Sequence, residues 1–158
     1  MYPDSSQDLN KETDEAIYFF TPAFHVFDSF SAHRINIWGL TFPTAEHAYH
    51  WKKFYISAPD LAQKILLVGS PEAVKQISIK YKDKVSANWH EIKVSVMEEI
   101  FRAKAEQHED VRERLKKTGK KQIIENSPVD SFWGIGPKED GQNIVGKIWM
   151  KIRDESLL

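Results

Sequence analysis

Glu46, His50 and Lys53 stand at intervals of four and three in "TFPTAEHAYHWKKF", residues 41–54. At about 100° per residue, a helix gathers them with Tyr49 on one face. Ala48, Trp51, Phe54 and Tyr55 take the opposite face. A carboxylate beside an imidazole and an amine can move protons, stabilise a developing cation or attack an electrophilic carbon. A lysine near a carboxylate is also an ordinary surface ion pair, and periodicity alone favours such a solvated face.

A second group lies in "DSFWGIG", Asp130–Gly136. A tryptophan among glycines in a loop needs somewhere to place its ring. It is either a plug anchoring the loop over the core or a wall for a planar ligand. Asp130 beside it is a candidate general acid or base, or the cap of a turn. "GIGPKEDG" lacks the pattern of a phosphate-binding glycine loop between strand and helix. The six histidines include no H-E-x-x-H pattern, and His47 and His50 are only three apart, so no metal site is expected. G-x-S-x-G is absent as well.

The helix that carries the first group opens after Pro43, with Thr44 as its N-cap. Upstream, "IYFF" from Ile17 reads as a strand, and "AFHVFDSFSAHRINIWGLTF" as two or three more, interrupted at Gly39. A second helix runs from Pro59 to about Leu67. A third begins at "SPEAVKQ", with Ser70 as cap and Pro71 in its first turn. The longest helix has Asn88 at its cap, Glu91 three residues on, and an apolar stripe of Trp89, Ile92, Val96, Met97, Ile100 and Phe101. A short helix over about Glu109–Lys117 stops at Gly119. "KQIIEN" reads as a strand, residues 127–143 as a long loop, and "IVGKIWMKIRDESLL" as a closing amphipathic helix. Together these predict an α+β, helix-rich single domain with a small sheet drawn mostly from the N-terminal third. Residues 1–15 lack periodicity and read as a flexible arm, leaving 16–158 as the domain.

The chain has 158 residues and a net charge of −1, which excludes the global basic field of a non-specific nucleic-acid binder. A local basic patch remains in "RERLKKTGKK", Arg112–Lys121, which also reads as a solvated helix end. No cysteine is present, so disulfides and thiolate metal sites are excluded. No apolar run approaches the roughly 20 residues of a membrane span, and the polar, acidic start is unlike a signal peptide. A cytoplasmic location is expected, with no membrane partner.

Five segments, in order, carry a family resemblance: "FPTAEHAYHWKKF", "SPEA", "NWHEIKVSVM", "LKKTGKKQIIENSPVDSFWGIG" and "GQNIVGKIWMKIRD". They resemble the YbiA-like family, also called NADAR (NAD- and ADP-ribose-associated), over about Phe19 to Asp154. The resemblance implies an N-glycosidase that hydrolyses the C1′–N bond between ribose and an amino-bearing base. Family substrates include ribosylamino-pyrimidine phosphates of riboflavin biosynthesis and guanine carrying ADP-ribose on its amino group, in DNA or RNA. A non-catalytic ADP-ribose or NAD-binding module is the alternative. By motif, Glu46, Lys53 and Asp130 become catalytic candidates. His50, Trp89, Trp133, Gly134 and Asn143 become substrate-binding candidates. Glu46 and Asp130 would share charge stabilisation and proton donation, and a desolvated Lys53 would capture C1′ as a Schiff base. No cofactor or metal is implied. The chain departs from the family pattern at Asp28-Ser29-Phe30, at His50 where a glutamine is usual, and at Ala105. It also lacks the Gly-Arg expected near Ile77-Ser78, which leaves Lys80 as a point charge for any phosphate.

Overall fold

The computed structural model describes residues 9–20 and 25–156. In chain order the elements are β1 (Lys11–Glu12), β2 (Ala16–Phe19), β3 (Ile35–Ile37), β4 (Leu40–Phe42), α1 (Ala45–Phe54), α2 (Pro59–Leu67) and α3 (Pro71–Lys80). A single 3-10 turn at Lys82–Lys84 follows, then α4 (Trp89–Gln107), α5 (Glu109–Lys117), β5 (Gln122–Glu125) and α6 (Ile144–Ser156). The fold is α+β and helix-rich, with, among the described residues, three strands in one sheet and two in another. Among the described residues, no helix is long and apolar enough to cross a membrane.

The backbone divides into two compact units. One is Ala32–Gln107; the other joins the chain up to Ser31 with the chain from His108 onward. In the second, terminal unit, β2 lies between β1, antiparallel, and β5, parallel, with Ile17 opposite Ile123. Of the arm expected at 1–15, residues 1–8 lie outside the described residues. Lys11 and Glu12 form an edge strand, because Asn10 donates its side-chain amide to the Phe20 carbonyl and accepts from the Phe20 N–H. Glu12 is also clamped by Lys121 at 2.9 Å and Arg114 at 3.2 Å, and the Lys121 hydrogen bond lowers its carboxyl below the usual range. The basic stretch Arg112–Lys121 is therefore partly neutralised within its own unit. Val111, Leu115, Ile123, Ile148 and Trp149 are buried, and the Trp149 indole donates to the Phe27 carbonyl.

In the central unit, β3 and β4 form a hairpin closed by Trp38 and Gly39, with Ile37 opposite Leu40. Both turn residues have positive φ, 55° and 76°, as a two-residue turn matching the strand twist requires. A tryptophan in that conformation is costly and must be held by its side chain. Its indole donates to Glu99, and its ring stacks on Trp51, which stacks on Tyr55. Lys52 sits 4.6 Å from both the Trp38 and the Tyr55 ring centres, adding cation–π attraction. The apolar face of α1 is thus covered by an aromatic stack. Its C-terminal part joins Phe54, Ala62, Ile65 and Val74 in a cluster shared with α2 and α3.

The helix starts follow the expected chemistry. Thr44 accepts from the His47 N–H, and Ser70 from the Ala73 N–H, while Pro59 and Pro71 stand where a missing N–H costs nothing. His47 is fully buried with both ring nitrogens engaged: Nδ1 is 2.8 Å from Thr44 Oγ1 and Nε2 2.9 Å from the Val68 carbonyl. Since a carbonyl only accepts, Nε2 carries the hydrogen and the Thr44 hydroxyl serves Nδ1.

Burial holds the His47 imidazole below its ordinary 6.5. The unfolded chain takes up a proton there that the folded chain resists. The contribution to stability is whole above about pH 6.5 and is lost as pH falls toward the folded value. Thermal melts across this range are expected to show Tm falling with acid, and a shallower fall in His47→Gln, which keeps a donor for Val68 but cannot titrate.

Candidate active site

The eight candidate residues divide evenly between the units. Glu46, His50, Lys53 and Trp89 lie in Ala32–Gln107; Asp130, Trp133, Gly134 and Asn143 lie in the terminal unit.

The central group is built on one helix. Burial overturns the solvated-face reading of α1: Glu46 and His50 are each 7% exposed and Tyr49 is 6% exposed. The opposite face already carries the aromatic stack, so α1 is covered on both sides, and it packs against α2, α3 and α4. Glu46 Oε1 accepts from His50 Nε2 at 2.8 Å. Tyr49 meets the His50 ring edge-on at 4.9 Å, and Trp89 meets Tyr49 edge-on at 5.0 Å. Trp89, at 2% exposed, stands behind Tyr49 in the core of its unit. These two contacts fix the plane of the imidazole.

Lys53 follows one turn after His50. Its Nζ donates to Ser78 Oγ at 2.9 Å, and Ser78 is buried on α3. The Lys53 carbonyl is held by both the N–H and the hydroxyl of Ser86, which fixes the backbone that carries the amine. Burial lowers the pKa of the amine below its ordinary range. The Glu46 carboxylate opposes that shift and the Lys93 ammonium reinforces it. A larger share of neutral, nucleophilic amine at moderate pH is the consequence. Sequence reasoning passed over Ser78 as a partner. The available signal was its place four residues after Val74 on the buried face of α3, where a hydroxyl needs a polar contact.

The terminal group is organised by backbone hydrogen bonds. Asp130 Oδ1 accepts from the N–H groups of Phe132 at 2.9 Å and Trp133 at 2.8 Å, making the turn that presents Trp133. Trp133 is half-buried, with Phe132 edge-on to it. The carbonyls of Phe132 and Trp133 in turn accept the N–H groups of Ile144 and Val145, the first residues of α6. Asn143 sits at a φ of 51° and turns its amide onto β5, accepting from Glu125 N–H and donating to the Ile123 carbonyl, each at 2.9 Å. It bonds to the sheet rather than capping α6 through its side chain. Gly134 lies so close to β5 that a Cβ would stand 2.8 Å from the Glu125 carbonyl and from Ser127 Cβ. In this arrangement Asn143 and Gly134 are spent on joining the loop to the strand.

Against known proteins, a family model described as NADAR domain matches residues 10–156. The chain belongs to the NADAR domain family. An N-glycosidase of Nostoc punctiforme is 35% identical over 88% of this chain and 91% of its own. N-glycosidase YbiA of Escherichia coli strain K12 is 31% identical over 82% of this chain and 79% of its own. The NMR structure of the E. coli protein YbiA superposes with a TM-score of 0.80 at 29% identity, covering 93% of this chain and 88% of that one. A riboflavin biosynthesis protein of Vibrio vulnificus is 32% identical over 90% of this chain, which amounts to 39% of that longer protein. Membership of this NADAR family, with relatives of N-glycosidase name, makes the chain a hydrolase acting on N-glycosyl bonds.

The turn made by Asp130 gives a direct prediction. Asp130→Ala strands two N–H groups and is expected to cost about 1–2 kcal/mol in denaturant unfolding. Asp130→Asn keeps an acceptor oxygen and is expected to unfold as the wild type does.

Proposed function

We propose that the chain hydrolyses the bond between C1′ of a ribose and the exocyclic nitrogen of an amino-bearing base, through a transient covalent adduct on Lys53. The observation that carries this reading is the Lys53 amine: partly withdrawn from water, held by Ser78, and one turn from the Glu46–His50 pair. A ribose on an exocyclic amine can open to an imine, C1′=N. The neutral Lys53 amine adds to C1′, a proton reaches the base nitrogen, and the C1′–N bond to the base breaks. What remains is an iminium between C1′ and Nζ, which water hydrolyses to free the sugar and restore the lysine. Positive charge develops at C1′ as the bond to the base breaks and the iminium forms, and a carboxylate such as Glu46 stabilises it. The family resemblance also gives Asp130 a catalytic role; Asp130→Asn, which keeps the turn, tests its charge separately from its structure.

Among substrates, ribosylamino-pyrimidine phosphates are favoured over ADP-ribosyl-guanine. The relatives named for riboflavin biosynthesis in V. vulnificus and Zea mays support that order, as does the near-neutral charge of the chain, which suits a small molecule.

Both substrates are to be incubated with the protein while base release is followed, with sodium borohydride added during turnover. Release of base, loss of activity by at least about a hundredfold in Glu46→Gln, and a borohydride-trapped sugar on Lys53 are expected. Lys53→Met should be inactive while still folding cooperatively in thermal melts, with any fall in Tm limited to that of a buried Ser78 hydroxyl left without its partner. Full turnover with no adduct overturns the covalent route in favour of direct hydrolysis. Tight ADP-ribose binding without turnover overturns the enzyme reading in favour of a binding module.

A further inference from the structure

His50 is held on one side only. Its Nε2 donates to Glu46 Oε1 at 2.8 Å, and Tyr49 fixes its ring plane. Its Nδ1 is buried and has no hydrogen-bond partner, the one such side-chain polar atom among the described residues. His47, three residues away on the same helix and more deeply buried, has both nitrogens satisfied. Burial in this helix therefore does not by itself strand an imidazole nitrogen. A buried polar atom left unpaired costs on the order of 1–3 kcal/mol, and such atoms call for a bound group that completes them.

The partner on Nε2 fixes what Nδ1 can do. An ionised carboxylate only accepts, so Nε2 carries the hydrogen and the neutral ring keeps its lone pair on Nδ1. Nδ1 is therefore an acceptor in want of a donor, on the same helix face as Lys53 and one turn before it. A carboxylate that orients an imidazole whose other nitrogen is free is the arrangement that makes histidine a general base.

We propose that His50 is the base that activates the water releasing the sugar from Lys53, with Glu46 as its positioning carboxylate. This rests on the Lys53 adduct described above. Water oxygen bonds to C1′ of the iminium and its proton passes to Nδ1, leaving a carbinolamine and an imidazolium paired with Glu46. The imidazolium returns that proton to Nζ. The C1′–Nζ bond then breaks with its electron pair on nitrogen, while the hydroxyl proton passes to Nδ1 and the sugar leaves as an aldehyde. The positive charge of the iminium remains as one proton on the imidazole.

Single-turnover kinetics separate the two halves of the reaction. In His50→Ala, base release is expected to continue as one burst equal to the enzyme present. Sugar release should slow about a hundredfold, so that borohydride traps more adduct than in the wild type. Added imidazole should restore sugar release in His50→Ala. Equal rates of sugar release in His50→Ala and wild type, or equal slowing of both halves, overturn the proposal while leaving the Lys53 adduct standing. A wild type that forms no adduct removes the reading on which it rests. Histidine-selective 15N NMR of the wild type needs no variant: a bare Nδ1 with the hydrogen on Nε2 is expected, and a hydrogen on Nδ1 overturns the proposal.

Discussion

The arrangement of the central unit depends on keeping the polar face of α1 away from water. An amine in water stays charged and unreactive; the same amine partly desolvated gives up its proton more readily. For Lys53, burial is the larger effect, the Glu46 carboxylate works against it, and the Lys93 ammonium works with it. That balance needs α1 to be covered on both sides. The stack of Trp38, Trp51 and Tyr55 covers one face, and α3 brings Ser78 to the amine on the other. The strained Trp38 turn is understandable as part of that cover, because the ring it positions lies against α1.

The terminal unit solves a different problem, which is to hold a long glycine-rich loop still. It does so with main-chain partners. Asp130 closes a turn on two N–H groups, the turn's carbonyls accept the first N–H groups of α6, and Asn143 binds β5 through its amide. Glycines are required where backbone meets backbone. A Cβ on Gly141 would stand 2.6 Å from the Ser131 carbonyl, and one on Gly146 would run into the Ile123 carbonyl. Precision in this loop comes from hydrogen bonds more than from side-chain burial.

Much of this was legible in the sequence, and for local reasons. Thr44 and Ser70 cap helices because a hydroxyl can reach the N–H three residues on. Pro59 and Pro71 open helices because they need no N–H, and Gly119 ends α5 because it adopts a positive φ of 57°. Periodicity also sorted α1 into its two faces correctly. What it did not convey is what each face meets, since a 3.6-residue period is equally compatible with solvent or with another helix. The polar face therefore read as solvated, and only contacts from residues far along the chain, Ser78 and Trp89 among them, place it inside. β1 escaped notice because two residues carry no alternation, and its strand exists through Asn10 and Glu12 contacts. The turn-capping role of Asp130 was among its readings because its partners lie two and three residues on, whereas Asn143 binds β5 about twenty residues back, which its own neighbourhood does not announce. The family motifs drew attention to Glu46 and Lys53 without explaining them; the geometry supplies the reason in the case of the amine.

The central claim is that burial and Glu46 together set the protonation of Lys53. Its direct measurement is the pH titration of the Lys53 side chain by NMR in lysine-labelled protein, wild type beside Glu46→Gln. Wild-type Lys53 is expected to titrate below the ordinary 10.5. In Glu46→Gln it should titrate lower still, because the carboxylate that favoured the charged form is gone. An ordinary value in both proteins, or a rise on loss of Glu46, would contradict the account.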